Sequence, residues 1–94
     1  LGTGGASYYW PNLKGNRTAS GEVFDPTELT AAHRTLPMGS KVKVMHKGKS
    51  VVVRINDRGP FHGNRVIDLS TAAAKQIGLF RAGTGTVHLQ LVNG

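Results

Sequence analysis

The sequence has 94 residues, no cysteine, and 13 glycines against one Trp, two Tyr and three Phe. Its length fits one small domain spanning residues 1–94, and the lack of cysteine excludes disulfides and thiolate metal sites. The formal net charge of +7 favours an anionic partner, but no apolar run approaches the ~20 residues of a membrane span, and no recognition-helix, zinc-finger or RNP-like pattern predicts nucleic-acid binding.

Alternation of apolar and polar residues predicts five strands, and the many glycines favour tight turns and an all-β fold with short helices. In chain order the predicted strands are residues 6–9, 41–45, 50–56, 65–68 and 86–92. Gly48, flanked by Lys47 and Lys49, predicts a hairpin turn between the second and third of them.

Two cap patterns predict helices between these strands. Asp25-Pro26-Thr27-Glu28 is a capping-box arrangement that predicts a short helical turn through Ala32. Ser70 is a typical N-cap for a second helix over residues 71–77, which Gly78 would end. Each predicted helix leads into an alternating strand, a repetition that hints at two similar halves related by a pseudo-twofold axis.

The strand 50–56 runs directly into an Asn-Asp-Arg-Gly-Pro turn. This places Asp57 at a rigid strand end, where a catalytic or binding carboxylate is held more accurately than on a loose loop. The alternative is that Asp57 merely hydrogen-bonds its own backbone to form the turn.

Assigning structural roles to the five carboxylates narrows the choice of functional acids. Asp25 and Glu28 fit the first helix cap, and Asp68 fits the N-terminal end of the second helix. Glu22, in the small-residue loop 18–22, and Asp57 remain without a local role. Glu22 as a solvated loop acid is the alternative.

The four histidines do not predict a metal site. His46, beside the hairpin, and His88, on the last strand, are predicted to lie at the surface, and His62 follows in a loop. His33 ends the first predicted helical turn. No pair has the i, i+4 spacing of a helical metal site, so we expect neither a metal nor another cofactor.

Five segments in order resemble the rare lipoprotein A (RlpA) family. They are Ala6-Ser7-Tyr8-Tyr9, Thr18-Ala19-Ser20-Gly21-Glu22, Leu29-Thr30-Ala31-Ala32-His33-Arg34-Thr35-Leu36-Pro37, Asn56-Asp57-Arg58-Gly59-Pro60-Phe61 and Arg65-Val66-Ile67-Asp68-Leu69-Ser70. The resemblance covers nearly the whole chain and implies a six-stranded double-psi β-barrel, with expansins, barwin-like proteins and some endoglucanases as relatives.

The resemblance implies a lytic transglycosylase of the bacterial cell envelope, either periplasmic or an outer-membrane lipoprotein. Such an enzyme cleaves MurNAc–GlcNAc bonds of peptidoglycan glycan strands, in some members stripped of stem peptides, and leaves 1,6-anhydroMurNAc ends. Matched by position, Asp57 corresponds to the essential acid, and Glu22 and His33 to the residues that accompany it.

The same resemblance predicts substrate contacts around that site. Tyr8 and Tyr9 are expected near the groove, and Ser20 and Arg58 are expected to bind substrate. The family often has Gly after the aromatic pair, where this chain has Trp10-Pro11. Trp10 is therefore either an added sugar-stacking platform or a packed loop residue.

The lipid-attachment segment and the C-terminal glycan-binding repeat domain of many members are absent from this sequence, which also begins without Met. We therefore expect a fragment of a longer exported precursor. We also expect a monomer.

Three kinds of function remain open, and the first, an enzyme, has two versions. A lytic transglycosylase can work with one carboxylate, whereas a hydrolase needs two, and both Glu22 and Asp57 are available. We expect them to face one groove, with His33 hydrogen-bonded to one of them or to substrate. The rivals are a non-catalytic, expansin-like wall-binding module and a binder of nucleic acid or anionic surfaces, which rests on charge alone.

Overall fold

The strands of the molecule close into a barrel. The computed structural model describes residues 2–9, 15–61 and 63–92. In these ranges the strands are β1 (Gly2–Tyr8), β2 (Thr30–His33), β3 (Lys41–His46), β4 (Lys49–Asp57), β5 (Arg65–Leu69) and β6 (Gly85–Val92), and the helices are α1 (Thr71–Gln76) and α2 (Leu79–Ala82). The strand order around the barrel is β1-β5-β2-β4-β3-β6. The predicted six-stranded barrel is thus confirmed.

Two of the neighbouring pairs, β1–β5 and β2–β4, are parallel, and the other four are antiparallel. The β2–β4 register shifts between consecutive partners, since Ala31 pairs with Ile55 and Ala32 with Asp57. Asn56 is therefore an extra residue in β4. A bulge of this kind bends a strand and redirects the side chain that follows it, and here that side chain is Asp57.

The core lies inside the barrel and under α1. Its largest fully buried side chains are Ile55, Ile67, Leu69, Ile77, Leu79, Val42, Val44, Val53 and Val87. The predicted hairpin between β3 and β4 is confirmed, because Lys47 and Gly48 both have positive φ (48° and 82°), as a two-residue type I′ turn requires. The predicted surface position of His46 is wrong. His46 is buried, and its Nδ1 lies 3.0 Å from the carbonyl oxygen of Thr86.

The first predicted helix does not form. Asp25 instead closes a local turn, in which its Oδ1 accepts hydrogen bonds from the backbone N–H (2.9 Å) and the hydroxyl (2.7 Å) of Thr27. The chain then enters β2, which lies between β4 and β5 and is buried over its first three residues. Pairing on both sides therefore outweighs the helix propensity of Ala31 and Ala32.

The second predicted helix is confirmed. The Ser70 side chain accepts a hydrogen bond from the backbone N–H of Ala73 (3.3 Å), and α1 ends at the C-cap Ile77, followed by Gly78 with φ 76°. The short α2 was not predicted. Within the described ranges, neither helix has the length and apolar character needed to cross a membrane.

The predicted role of Asp68 is also wrong. Asp68 lies on β5, where its Oδ1 accepts a hydrogen bond from the hydroxyl of Ser7 (2.8 Å) and is 3.4 Å from the guanidinium of Arg65. It links β1 to β5 rather than facing the start of α1.

Candidate functional site

The loop of residues 18–22 folds onto the end of β4. The backbone N–H of Thr18 donates to the carbonyl of Glu22 (2.8 Å), and that of Gly21, with φ 91°, donates to the carbonyl of Thr18 (2.9 Å). The backbone N–H of Ser20 donates to the carbonyl of Asn56 (3.1 Å). The extra residue of the bulge therefore anchors the loop beside Asp57.

Asp57 accepts three hydrogen bonds. Its Oδ1 accepts from the backbone N–H groups of Ala19 and Arg58, each at 2.8 Å, and its Oδ2 accepts from the hydroxyl of Tyr9 at 2.5 Å. The bond from Arg58 is the local turn contact, but Ala19 and Tyr9 come from distant parts of the chain. Oδ1 is occupied by two donors, so Oδ2 is the oxygen with more capacity for a further partner.

Asp57 opens onto a pocket of about 290 Å³. The pocket is lined by Tyr9, Asn16, Arg17, Thr18, Phe24 and Asp57. The ring of Tyr9 packs edge-on against that of Phe24, with 5.0 Å between centroids. Burial, followed by the hydrogen bond to Asp57, raises the pKa of Tyr9 far above its ordinary value. Tyr9 therefore remains a neutral donor toward Asp57.

Glu22 forms a bidentate ion pair with Arg54. The two N–O distances are 2.5 and 2.8 Å, and the Ser20 hydroxyl also donates to Glu22 at 3.2 Å. The hydrogen bond from Arg54 is the main reason why the pKa of Glu22 is lowered. Glu22 is not among the described residues that line the pocket of Asp57. Glu22 thus belongs to the loop 18–22 and Asp57 contacts it, but the main partner of Glu22 is Arg54, which is not among the described donors to Asp57.

The His33 ring is neutral and has a defined tautomer. Its Nδ1 accepts hydrogen bonds from the backbone N–H groups of Thr35 and Leu36, each at 3.2 Å. Burial, then the nearby charges of Arg58 and Arg34, lower the pKa of His33. Because Nδ1 is an acceptor in the neutral ring, the proton is on Nε2.

His33 lies at the end of β2, next to the end of the parallel strand β4. The preceding residue, Ala32, pairs with Asp57, and the Arg58 guanidinium donates to the carbonyl of His33 at 3.2 Å. Among the described residues, no hydrogen bond joins the His33 ring to Asp57 or Glu22. Backbone pairing therefore places His33 one residue beyond the partner of Asp57, and its ring carries Nε2–H as a donor.

Three of the remaining predicted site residues contact Asp57 or Glu22. Tyr9 and Arg58 contact Asp57 directly, and Ser20 contacts Glu22. Tyr8 lies elsewhere, because its hydroxyl donates to the carbonyl of Phe80 (3.1 Å) and its ring packs on that residue. Trp10 lies outside the described residues.

Arg54 is the site residue that the sequence did not indicate. As an outward position between Val53 and Ile55 on β4, it resembles any solvent-facing strand residue. The one available signal was that Glu22 lacked a local partner.

Comparisons with known proteins identify the family of the chain. The model of the family described as "Lytic transglycolase" matches residues 2–89. A Synechocystis sp. protein named "Probable endolytic peptidoglycan transglycosylase RlpA" is 60% identical over 93% of this chain and 28% of its own length. The Vibrio cholerae "Endolytic peptidoglycan transglycosylase RlpA" is 51% identical over 96% of this chain and 35% of its own length.

A solved structure confirms the fold. The apo form of an expansin from Clavibacter michiganensis superposes with a TM-score of 0.78 at 20% identity, over 98% of this chain and 50% of the expansin chain. Together with the family match, this likeness confirms the predicted double-psi β-barrel. The chain spans about a third of the length of the curated relatives it matches.

Proposed function

Since the chain belongs to the lytic transglycolase family, we propose that it cleaves the MurNAc–GlcNAc bonds of peptidoglycan without consuming water. The proposal includes a bacterial cell-envelope location, where its substrate lies. It takes support from the relatives named as endolytic peptidoglycan transglycosylases and from the site around Asp57.

The different environments of the two carboxylates support a transglycosylase reaction over hydrolysis. A glycoside hydrolase uses two carboxyl groups, about 5 to 9.5 Å apart according to mechanism, as acid and as nucleophile or base. The lowered pKa of Glu22 opposes the role of acid, and the guanidinium of Arg54 on both of its oxygens opposes the role of nucleophile or base. Asp57, by contrast, borders a pocket. This supports a reaction with one working carboxylate.

One carboxylate is sufficient if it acts twice. In the proposed first step, protonated Oδ2 of Asp57 gives its proton to the leaving O4 of GlcNAc as the bond from that oxygen to C1 of MurNAc breaks. The 6-hydroxyl oxygen of MurNAc then bonds to C1 and its proton returns to Oδ2, which closes the 1,6-anhydro ring. The proton balance is closed and water is not a reactant.

Neighbouring groups keep Oδ2 in place for both steps. The two backbone N–H groups on Oδ1 fix the carboxyl plane, and the Tyr9 hydroxyl reaches Oδ2. A hydroxyl can donate to an ionised carboxylate and accept from a protonated one by rotating. Tyr9 can therefore follow the proton on and off Asp57. His33 offers Nε2–H as a donor to a substrate hydroxyl or carbonyl, rather than as a base.

The net charge of +7 suits the proposed substrate. Glycan strands carry lactyl carboxylates, and a basic domain concentrates such strands near its surface. Because exposed charges are screened, this attraction weakens as salt is raised.

Mass spectrometry of products from purified glycan strands tests the proposal. Wild-type protein should form 1,6-anhydroMurNAc ends, and Asp57→Asn should not, because an amide cannot transfer the proton. The Asn side chain keeps the acceptor for Ala19 and Arg58, so the fold should persist. Asp68→Asn, which alters another half-buried acid on β5, is the matched control and should retain activity. Reducing ends in place of anhydro ends would refute the transglycosylase reaction.

A second candidate is a non-catalytic, expansin-like glycan-binding module. One observation favours it: all three donors to Asp57 complement its ionised form, which suits a binding residue. In that case wild type and Asp57→Asn would both bind glycan strands, and neither would form any product.

A further inference from the structure

Phe61 is exposed to an unusual degree for its size. It has 73% of its surface accessible, compared with 50% for Val23 and 47% for Leu91, the next most exposed large apolar residues among those described. It follows Asp57 by four residues on the same loop. Because four residues span at most ~14 Å of extended chain, Phe61 lies within reach of a glycan chain bound at the acid.

The loop beneath the ring is held firmly. Gly59 and Pro60 are buried, and the Arg34 guanidinium donates to the carbonyl oxygens of Pro60 (2.5 Å) and Arg65 (3.0 Å). The Phe61 ring lies close to Gly59, since a Cβ added there would be 3.6 Å from a ring carbon. One side of the ring thus meets backbone, while most of its area faces solvent.

A single exposed apolar side chain needs no explanation on a loose surface. Here, however, the exposed ring is carried by a buried Gly59-Pro60 backbone that the Arg34 guanidinium holds, on the loop that follows Asp57. A pyranose has an apolar face of C–H groups that packs on an aromatic ring. A preorganised ring loses little conformational freedom when the sugar arrives.

We propose that Phe61 is a sugar-stacking platform, a binding subsite for one pyranose ring of a glycan strand that extends from Asp57. This inference rests on the proposed function for the identity of the strand. It assigns Phe61 a role in binding and none in proton transfer.

Binding measurements in the inactive Asp57→Asn background test the platform without turnover. The probe is purified glycan strands stripped of stem peptides, with affinity followed by calorimetry. Adding Phe61→Ala should weaken binding about tenfold, as expected when a ring-sized apolar contact is lost. Adding Phe61→Trp should retain the affinity. Leu91→Ala, which truncates an exposed apolar residue on β6, is the matched control and should bind like the parent.

Any of three results would overturn the platform. The Phe61→Ala protein could bind as tightly as its parent, Leu91→Ala could lose as much affinity as Phe61→Ala, or the parent could fail to bind strands. Thermal unfolding of each variant distinguishes a binding loss from misfolding, and Phe61→Trp provides a second folded test. The proposed function fails separately: if wild type makes no anhydro product but Phe61→Ala still weakens binding, the platform stands on a binding module.

Discussion

The ion pair of Glu22 with Arg54 allows the role of the second carboxylate to be tested. We expect Glu22 to act by positioning the loop 18–22, which delivers the backbone N–H of Ala19 to Asp57. Glu22→Gln keeps the shape of the side chain but removes its charge. Arg54→Gln removes the other half of the pair, and the double variant completes a thermodynamic cycle.

The structure indicates how large the effects on stability and on kcat/KM should be. The Glu22 and Arg54 side chains are 40% and 37% exposed, so their attraction is partly screened, and the coupling between them should be about 1 kcal/mol in urea unfolding. A loosened loop weakens one of the three hydrogen bonds to Asp57. Because a hydrogen bond to a charged group is worth ~1.5 to 3 kcal/mol, its partial loss should reduce kcat/KM by roughly tenfold. Asp57→Asn, by comparison, should abolish product formation.

The double variant decides between positioning and chemistry. If Glu22 acts through Arg54, Arg54→Gln alone should reduce kcat/KM about as much as Glu22→Gln, and the double variant should be little worse than either. Our reasoning would be refuted if Glu22→Gln abolished product formation as completely as Asp57→Asn while Arg54→Gln remained active. Glu22 would then take part in the chemistry, and a two-carboxylate reaction would be favoured.

Three further changes probe the site and the barrel. Tyr9→Phe keeps the ring but removes the donor to Oδ2, so kcat/KM on glycan strands should fall by roughly 10- to 100-fold with an unchanged circular dichroism spectrum; full activity would contradict the role of the hydroxyl. The folded pKa of His33 lies below its unfolded value, so its contribution to stability is complete above about pH 6.5 and declines as the pH falls from there toward the folded pKa. His33→Asn preserves an acceptor for Thr35 and should flatten this decline in urea unfolding between pH 5 and 8, whereas an unchanged pH profile would contradict the assignment. Gly85→Ala would place a Cβ 2.7 Å from Cδ1 of Leu79 and should cost about 1 to 3 kcal/mol in thermal unfolding; wild-type stability would contradict the close packing.

The sequence predicted strands whose side chains largely alternate between core and solvent, such as β3 and β4, and only the C-terminal part of β1, which does not alternate. It missed β2, because Thr30, Ala31 and Ala32 are all buried and so show no alternation. Two of these buried positions are filled by alanine, which is also the best helix former. The partners of β2 in β4 and β5 are distant in sequence. His46 was mispredicted for a similar reason. Its partner, Thr86, is distant in sequence, and without that partner His46 has the pattern of a residue beside a turn.

The sequence singled out Asp57 but not the arrangement of the residues around it. The abrupt end of a strand identified Asp57 as a held carboxylate, and its three hydrogen bonds are consistent with that. Nothing local indicated that Glu22 would pair with Arg54 or that Tyr9, rather than Tyr8, would reach the acid. Such pairs depend on barrel closure, which brings distant segments together at one end of β4.

The register shift occurs in both parallel strand pairs, but only in β4 is it followed by a carboxylate. In the other parallel pair the register also shifts, because Gly5 pairs with Arg65 and Ala6 with Ile67. Ile67 thus has the place in β5 that Asp57 has in β4, yet it is fully buried in the core. A bulge alone therefore does not make a site. What differs in β4 is the loop 18–22, which brings a backbone N–H to the strand end and allows a carboxylate to be held there instead of an apolar side chain. We propose that the site depends on this loop as much as on the acid. Glu22, which joins the loop to Arg54, should then matter without taking part in proton transfer.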